Sequence, residues 1–223
     1  KYPKAVKMDQ ISYDEILELA SLGAGVMHSR SIEFGKKYNV IIHVRSSMND
    51  SKGTIITHEV PQMEGILVSG ATIQKDLAKI GLTDVDNKPG NAAKVFAQLA
   101  EAKIVVNDII QTEVSADKAN LSFTCAKSDL GDAKKVIEKM QSQVNCKAIF
   151  VRDDIAEVSV VGVGMRSHYG VATKLFKALA DAKVNIDSIT TSEIRISCIV
   201  DLKDGDKALT VVCDAFELDK PVD

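Results

Sequence analysis

Two short stretches carry residue types that could hold a small anionic group. In the first, an apolar strand ends at Asp84-Val85 and the chain turns through Asp86-Asn87-Lys88-Pro89-Gly90 into Asn91-Ala92-Ala93, the start of a helix. Pro-Gly enforces a tight reversal. Backbone N–H groups at the helix start then face out over the strand end, where the helix dipole favours negative charge, and this makes a seat for a carboxylate. The second stretch, Arg166-Ser167-His168-Tyr169-Gly170, feeds another helix start in the same way. Asn107 and Gln111 follow the first turn, and Asn185, Thr191, Ser192 and Glu193 follow the second, on or just after the strand expected to run beside the first strand. Their amides and hydroxyls could hydrogen-bond a ligand's ammonium or side chain while the helix start holds its carboxylate. A solvated strand end is the competing reading, and for Gln111 the chemistry alone leaves the two equal.

The elements that must position these residues come from an internal repeat. An offset of 80 superposes Gly90 on Gly170, Ala92 on Ala172, Lys94 on Lys174, Phe96 on Phe176, Leu99 on Leu179, Ala100 on Ala180, Ala102 on Ala182 and Lys103 on Lys183. Each copy begins with an apolar strand (Ala78 to Val85; Glu157 to Val163) and passes a glycine-containing turn into an amphipathic helix (Ala92 to Lys103; Ala172 to Lys183). A second strand (Ile104 to Ile110; Val184 to Ile189), a third (Leu121 to Cys125; Ile194 to Asp201) and a second helix (Leu130 to Val144; Asp206 to Phe216) follow, with a further strand at Lys147 to Arg152. The order βαββαβ predicts an α+β fold of two ferredoxin-like modules, each an antiparallel sheet with two helices on one face. Ahead of them, Ile16, Leu17, Leu19, Ala20 and Leu22 repeat at helical spacing, with Ser12 and Glu15 as a capping box. Gly23 and Gly25 interrupt that helix; a second is expected from Ser29 to Tyr38, and Val40 to Val44 reads as a buried strand.

Composition narrows the function classes. The chain has 223 residues, 45% hydrophobic and 26% charged, which leaves room for one large or two small domains. Aromatic residues are 4% with no tryptophan and the net charge is −3, so neither base stacking nor electrostatics favours nucleic acid. Small molecules or other protein chains are the expected partners. Cys125, Cys146, Cys198 and Cys213 are scattered without a Cys-x-x-Cys pair and read as buried free thiols of a reducing compartment. No apolar run approaches the ~20 residues that cross a bilayer, and Lys1-Tyr2-Pro3-Lys4 lacks the hydrophobic stretch of a secretory signal. A cytoplasmic protein without membrane attachment is expected. His28, His43, His58 and His168 show no metal or relay spacing, and Gly162-Val163-Gly164 meets Ser167 where a dinucleotide loop needs its third glycine.

Three stretches resemble the C-terminal half of the aspartokinase family: Met8 to Glu15 with Leu17 to Ala24, His43-Val44-Arg45-Ser46-Ser47, and Thr191 to Ser197. The resemblance covers essentially the whole chain. It implies that residues 1–60 are the C-terminal remnant of an amino-acid kinase lobe, 65–150 a first ACT module and 151–223 a second, packed as a pair. It further implies that lysine and/or threonine bind at the ACT-module interfaces as feedback inhibitors. Carried over residue by residue, the first effector site would be Asn87, Lys88, Pro89, Gly90, Asn91 and Ala92 with Val106, Asn107 and Gln111. The second would be Ser167, His168, Gly170, Val171, Asn185, Ile186, Thr191, Ser192 and Glu193.

Departures from the family pattern qualify this. Asn87 stands where family loops carry the aspartate of Asp-x-Pro-Gly, with Asp86 just before it, and Thr112 follows Gln111 where asparagine is usual. Gly23-Ala24-Gly25-Val26 replaces Gly-Ala-Lys-Val, whose lysine lies at the nucleotide, and the Lys-Phe-Gly-Gly phosphate-binding start is missing. Phosphoryl transfer depends on positioning and charge stabilisation, so no catalytic residue, metal or cofactor is assigned to this chain; ATP and magnesium belong to the complete enzyme. A regulatory portion, acting as a homodimer through its modules or with a catalytic aspartokinase chain, is the leading reading. A compact active kinase and a purely structural dimerisation module are the alternatives.

Overall fold

The computed structural model describes residues 2–25, 27–59 and 65–220. Val26 and the expected domain limits at 60 and 223 lie outside them. The chain divides into two compact units, residues 1–74 with 156–223, and residues 75–155.

The second of these units is the first repeat copy. Its elements are β5 (Leu77–Asp86), α3 (Asn91–Glu101), β6 (Val106–Ser115), β7 (Lys118–Ala126), α4 (Leu130–Met140) and β8 (Ala148–Arg152). The sheet order is β6-β7-β5-β8, with all three neighbouring pairs antiparallel. Strand residues Ile80, Leu82, Leu121 and Phe123 share one core with Val95 and Leu99 of α3 and Ala133 and Ile137 of α4, so both helices cover the same face. Leu99 is fully buried, and its truncation to alanine costs about 2–5 kcal/mol. The repeat also explains how α3 stops. Lys103 adopts φ 59°, its N–H donates to Ala100 O, and Ile104 N–H donates to Leu99 O, a Schellman ending.

The other unit holds the second copy: β9 (Ile155–Val161), α5 (Val171–Asp181), β10 (Ser188–Thr191), β11 (Arg195–Asp201) and α6 (Gly205–Ala215). Lys183 (φ 56°) closes α5 as Lys103 closes α3, with Val184 N–H on Leu179 O. This copy has no last strand after its second helix; the position is taken by β4 (Gly70–Gln74), antiparallel to β9 with Gly70 opposite Val161 and Gln74 opposite Glu157, giving the order β10-β11-β9-β4. The expected division at 65 and 151 therefore needs correction. Residues 70–74 belong to the second module's sheet, because their hydrogen-bonding partners lie on β9. The first module is an insertion between two strands of the second.

The same unit begins with β1 (Gln10–Ser12), α1 (Tyr13–Ser21), α2 (Ser29–Lys37), β2 (Ile42–Val44) and β3 (Thr54–Thr57). β3 lies between the other two strands, parallel to β1 and antiparallel to β2. Ile11, Tyr13, Ile16, Ile32 and Ile56 form its small core. The expected capping box is present at α1, which ends before Gly23 (φ 87°). No helix among the described residues is long and apolar enough to cross a membrane.

Candidate functional site

In the first module, the reversal after β5 walls a cavity of about 250 Å³. Its lining includes Asn87, Lys88, Pro89, Gly90, Asn91 and Ala92 from the turn, and Gln111 from β6. Val85, Asp86, Ala119 and Leu121 complete it. The volume lies below the range of about 300–1,000 Å³ usual for drug-sized ligands, which suits a small metabolite. Gly90 sits in the left-handed region (φ 92°) as the N-cap of α3, and no side chain caps the helix. Asn91 N–H reaches Lys88 O and Lys94 N–H reaches Gly90 O, leaving the N–H groups of Ala92 and Ala93 without a protein acceptor among the described residues. Across the cavity, the Gln111 amide has no partner among those residues. Open donors at a helix start on one side, and an amide that both donates and accepts on the other, suit a carboxylate joined to a polar group.

Asp86 holds this arrangement in shape. Its carboxylate accepts from Lys118 Nζ (2.8 Å), Lys88 Nζ (2.9 Å) and Asn145 Nδ2 (2.9 Å), and its backbone carbonyl accepts from Asn91 Nδ2 (2.8 Å). The hydrogen bonds from Lys118, Lys88 and Asn145 hold its carboxyl well below the usual carboxylate range, and Asp86 in turn raises Lys88. Lys118 and Asn145 were missed in the sequence, where nothing local connects them to residue 86.

Val106 and Asn107 do not line the cavity. Strand β6 pairs with β7 rather than running beside β5, which corrects the expected neighbour. Val106 lies opposite Cys125, itself opposite Ala78 near the start of β5, whereas the turn leaves the other end at Asp86.

The second module's residues are arranged differently. Gly170 repeats the left-handed N-cap (φ 91°), and Val171 is the first, buried residue of α5. Ser167 and His168 bond inward, with His168 Nδ1 2.8 Å from Gly164 O and 3.2 Å from Ser167 Oγ. Asn185 is exposed before β10, Ile186 packs against the module core, and Thr191 pairs with Ile196 at the far end of β10. Ser192 and Glu193 line a more open cleft of about 580 Å³ with Asp14, Glu18, Glu33 and Arg166. Arg166 is taken up there: Nη1 donates to both Glu59 oxygens (2.8 and 2.9 Å), and Nε lies 3.4 Å from Glu193. The residues expected to form one site are thus spread over two ends of the module.

The four cysteines are free and buried. Burial pushes the thiols up, Cys198 to about 12 and Cys213 to about 11.

Two modules, each a four-stranded antiparallel sheet with a glycine-capped helix start, define a pair of ACT-type regulatory domains, and an ACT domain profile matches residues 158–216. The aspartokinase of Helicobacter pylori strain 26695 is 42% identical over 221 residues, covering 97% of this chain and 54% of that protein. The regulatory subunit of aspartate kinase from Thermus thermophilus, in its ligand-free form, is 39% identical with a TM-score of 0.64, covering 67% of this chain and 99% of that one. Aspartate kinase from Clostridium acetobutylicum, described as an allosteric enzyme, is 27% identical with a TM-score of 0.84 over 94% of this chain and 49% of its own. The chain belongs to the aspartokinase family and carries its regulatory ACT domains. It spans about half the length of the curated relatives it matches.

Proposed function

We propose that this chain is the regulatory portion of an aspartate kinase. In this reading it binds a feedback-inhibitor amino acid, lysine and/or threonine, and thereby controls ATP-dependent phosphorylation of L-aspartate to 4-phospho-L-aspartate. The observation that carries the reading is the first-module cavity, with open N–H groups at the start of α3 on one wall and the uncommitted Gln111 amide on another. The helix start receives the effector's carboxylate, and Gln111 accepts from its ammonium or pairs with its side chain. Binding favours one state of the paired modules, and the shift is limited by the effector's differential affinity for the two states.

Residues 1–60 are read as the remnant of the amino-acid kinase lobe, on the family resemblance of Met8 to Ala24 and His43 to Ser47. ATP and magnesium act in the complete enzyme. Gly25 offers no ammonium where the family's lysine meets the nucleotide, and an added Cβ there would meet nothing within 4 Å. Edge strands β6 and β10, with exposed Ile109, Val114 and Ile189, support pairing with a second copy or with a catalytic chain. Four buried thiols suit a reducing compartment, the cytoplasm.

Calorimetry with L-lysine, L-threonine and both together tests the reading. Binding with thermal stabilisation is expected, weakened about fivefold in Gln111→Ala through loss of one hydrogen bond. Neither heat nor stabilisation at millimolar effector overturns it. ADP release from ATP, magnesium and aspartate by the purified chain would establish the compact kinase instead.

A further inference from the structure

We propose that the first-module cavity selects an amino acid with an uncharged side chain and rejects a cationic one, and that Asp86, Lys88 and Lys118 set this preference. The inference rests on the reading of the cavity as an effector site and names the class of effector it takes.

Asp86 supplies the one carboxylate among the residues lining the cavity. Both of its oxygens already accept, Oδ1 from Lys118 and Asn145 and Oδ2 from Lys88, so its single charge is shared between two lysines. Outside the lining, Asp84 lies 3.4 Å from Lys147 Nζ. The remaining polar groups of the lining are neutral amides, and two are in use: Asn91 Nδ2 donates to Asp86 O, and Asn87 Nδ2 lies 3.4 Å from Ala116 O. Gln111 is left as the adaptable group, beside the apolar surfaces of Val85, Ala119 and Leu121.

Every α-amino acid brings the same carboxylate and α-ammonium, so these cancel when effectors are compared. The side chain decides. A second ammonium would enter a cavity walled by Lys88 with no free counter-charge, and capturing Asp86 would strand Lys118 and Asn145. A hydroxyl or a methyl group meets no such penalty, since Gln111 can pair with the first and the apolar wall can take the second.

The test uses the whole chain, labelled with 15N, titrated with L-threonine, L-norleucine and L-lysine while the amide resonances of Gly90 and Asn91 are followed. Norleucine carries lysine's side-chain carbons without the terminal ammonium, so the pair isolates the charge. Norleucine is expected to bind at least about tenfold more tightly than lysine, as like-charge juxtaposition demands. Lys118→Met frees one Asp86 oxygen from its lysine and should move the ratio toward lysine by about tenfold. Lys88→Met, at a side chain 71% exposed, gives the same comparison where folding is least at risk. Lysine binding the unaltered chain as tightly as norleucine overturns the inference and leaves the effector reading standing. A ratio unchanged in both variants overturns the role of the lysines. Failure of all three amino acids to move those resonances overturns the effector reading itself.

Discussion

The two modules share a fold and a helix start, yet their turns are committed to opposite tasks. At the offset that superposes Gly90 on Gly170, Asp86 falls on Arg166. In the first module the acid is satisfied from within, by Lys88, Lys118 and Asn145, and the turn closes around a cavity. In the second the base reaches out to Glu59, ahead of the module in sequence, and to Glu193. A charge reversal at one position thus separates a turn that closes around a cavity from one tied to the N-terminal segment. The two copies share the scaffold, Gly90 and Gly170 at φ 92° and 91°, and differ in their polar partners.

The comparison is broken most severely at Glu15. Its carboxylate is 1% exposed and accepts from Ser12 N–H (3.1 Å), Ser12 Oγ (2.8 Å), Val163 N–H (3.0 Å) and Ser69 Oγ. Val163 opens the short 3-10 segment that leads into the second turn. Glu15→Ala leaves buried donors unpaired and is expected to destabilise the unit by about 3–5 kcal/mol. Glu15→Gln is no rescue, because its NH2 group would face donors. Urea unfolding reads the loss, and hydrogen exchange at Val163 should accelerate while Asn91 and Ala92 keep their rates. An unchanged midpoint would show that the second turn is not anchored in this way.

The glycine caps give the next largest effect and the sharper contrast. An added Cβ at Gly90 or Gly170 meets nothing within 4 Å, so alanine at either costs only backbone strain, about 1–2 kcal/mol at each. Thermal unfolding should register the two losses as similar. Amino-acid binding should fall only in Gly90→Ala, since Gly90 lines the first cavity. Equal loss of binding in both variants would erase the distinction between the turns.

What the sequence makes legible follows the range of the interactions involved. Helix spacing and the capping box are set by residues a few positions apart, and the repeat marks the helix spacing twice. Strand order is set by distant partners. Hence β6 was expected beside β5 although β7 lies between them, and Gly70–Gln74, too short to show a period, was not read as the strand that completes the second sheet. The same division runs through the sites. Asn87 to Ala92 are contiguous and line one cavity together, and Gln111 joins them through the register that sets it opposite Leu121. Val106 and Asn107 are displaced by the length of β6. Glu15 reads as a local cap, yet two of its donors, on Ser69 and Val163, lie far along the chain.

Arg166→Ala tests the outward link of the second turn. The guanidinium is 40% exposed and Glu59 30%, so solvent screening limits the pair to no more than about 1 kcal/mol despite its two-point geometry. The expected result is a small fall in unfolding midpoint that shrinks as salt is raised, with the first cavity's amino-acid affinity unchanged. A loss comparable to that of Glu15→Ala would mean that the ion pair, rather than the buried carboxylate, anchors the turn.

The inward link of the first turn should respond to acid instead. Lys118, then Lys88 and Asn145, lower the Asp86 pKa in the folded chain below its unfolded value of about 3.9. A group depressed in this way contributes stability above the unfolded pKa and loses it as pH falls toward the folded one. Hydrogen exchange of Asn87 and Asn91 should therefore accelerate progressively below about pH 4, corrected for intrinsic rates, because the ionised carboxylate adds the side-chain ties of their turn to Lys118 and Asn145. The change is confined to the turn, since Asp86 is bonded at the surface and the module's core of Ile80, Leu82 and Phe123 contains no carboxyl group. In Asp86→Asn the exchange should already be fast at neutral pH and flat across the same range. Acceleration that persists with the same midpoint in that variant would assign the titration to another group and remove Asp86 as the residue that shapes the first turn.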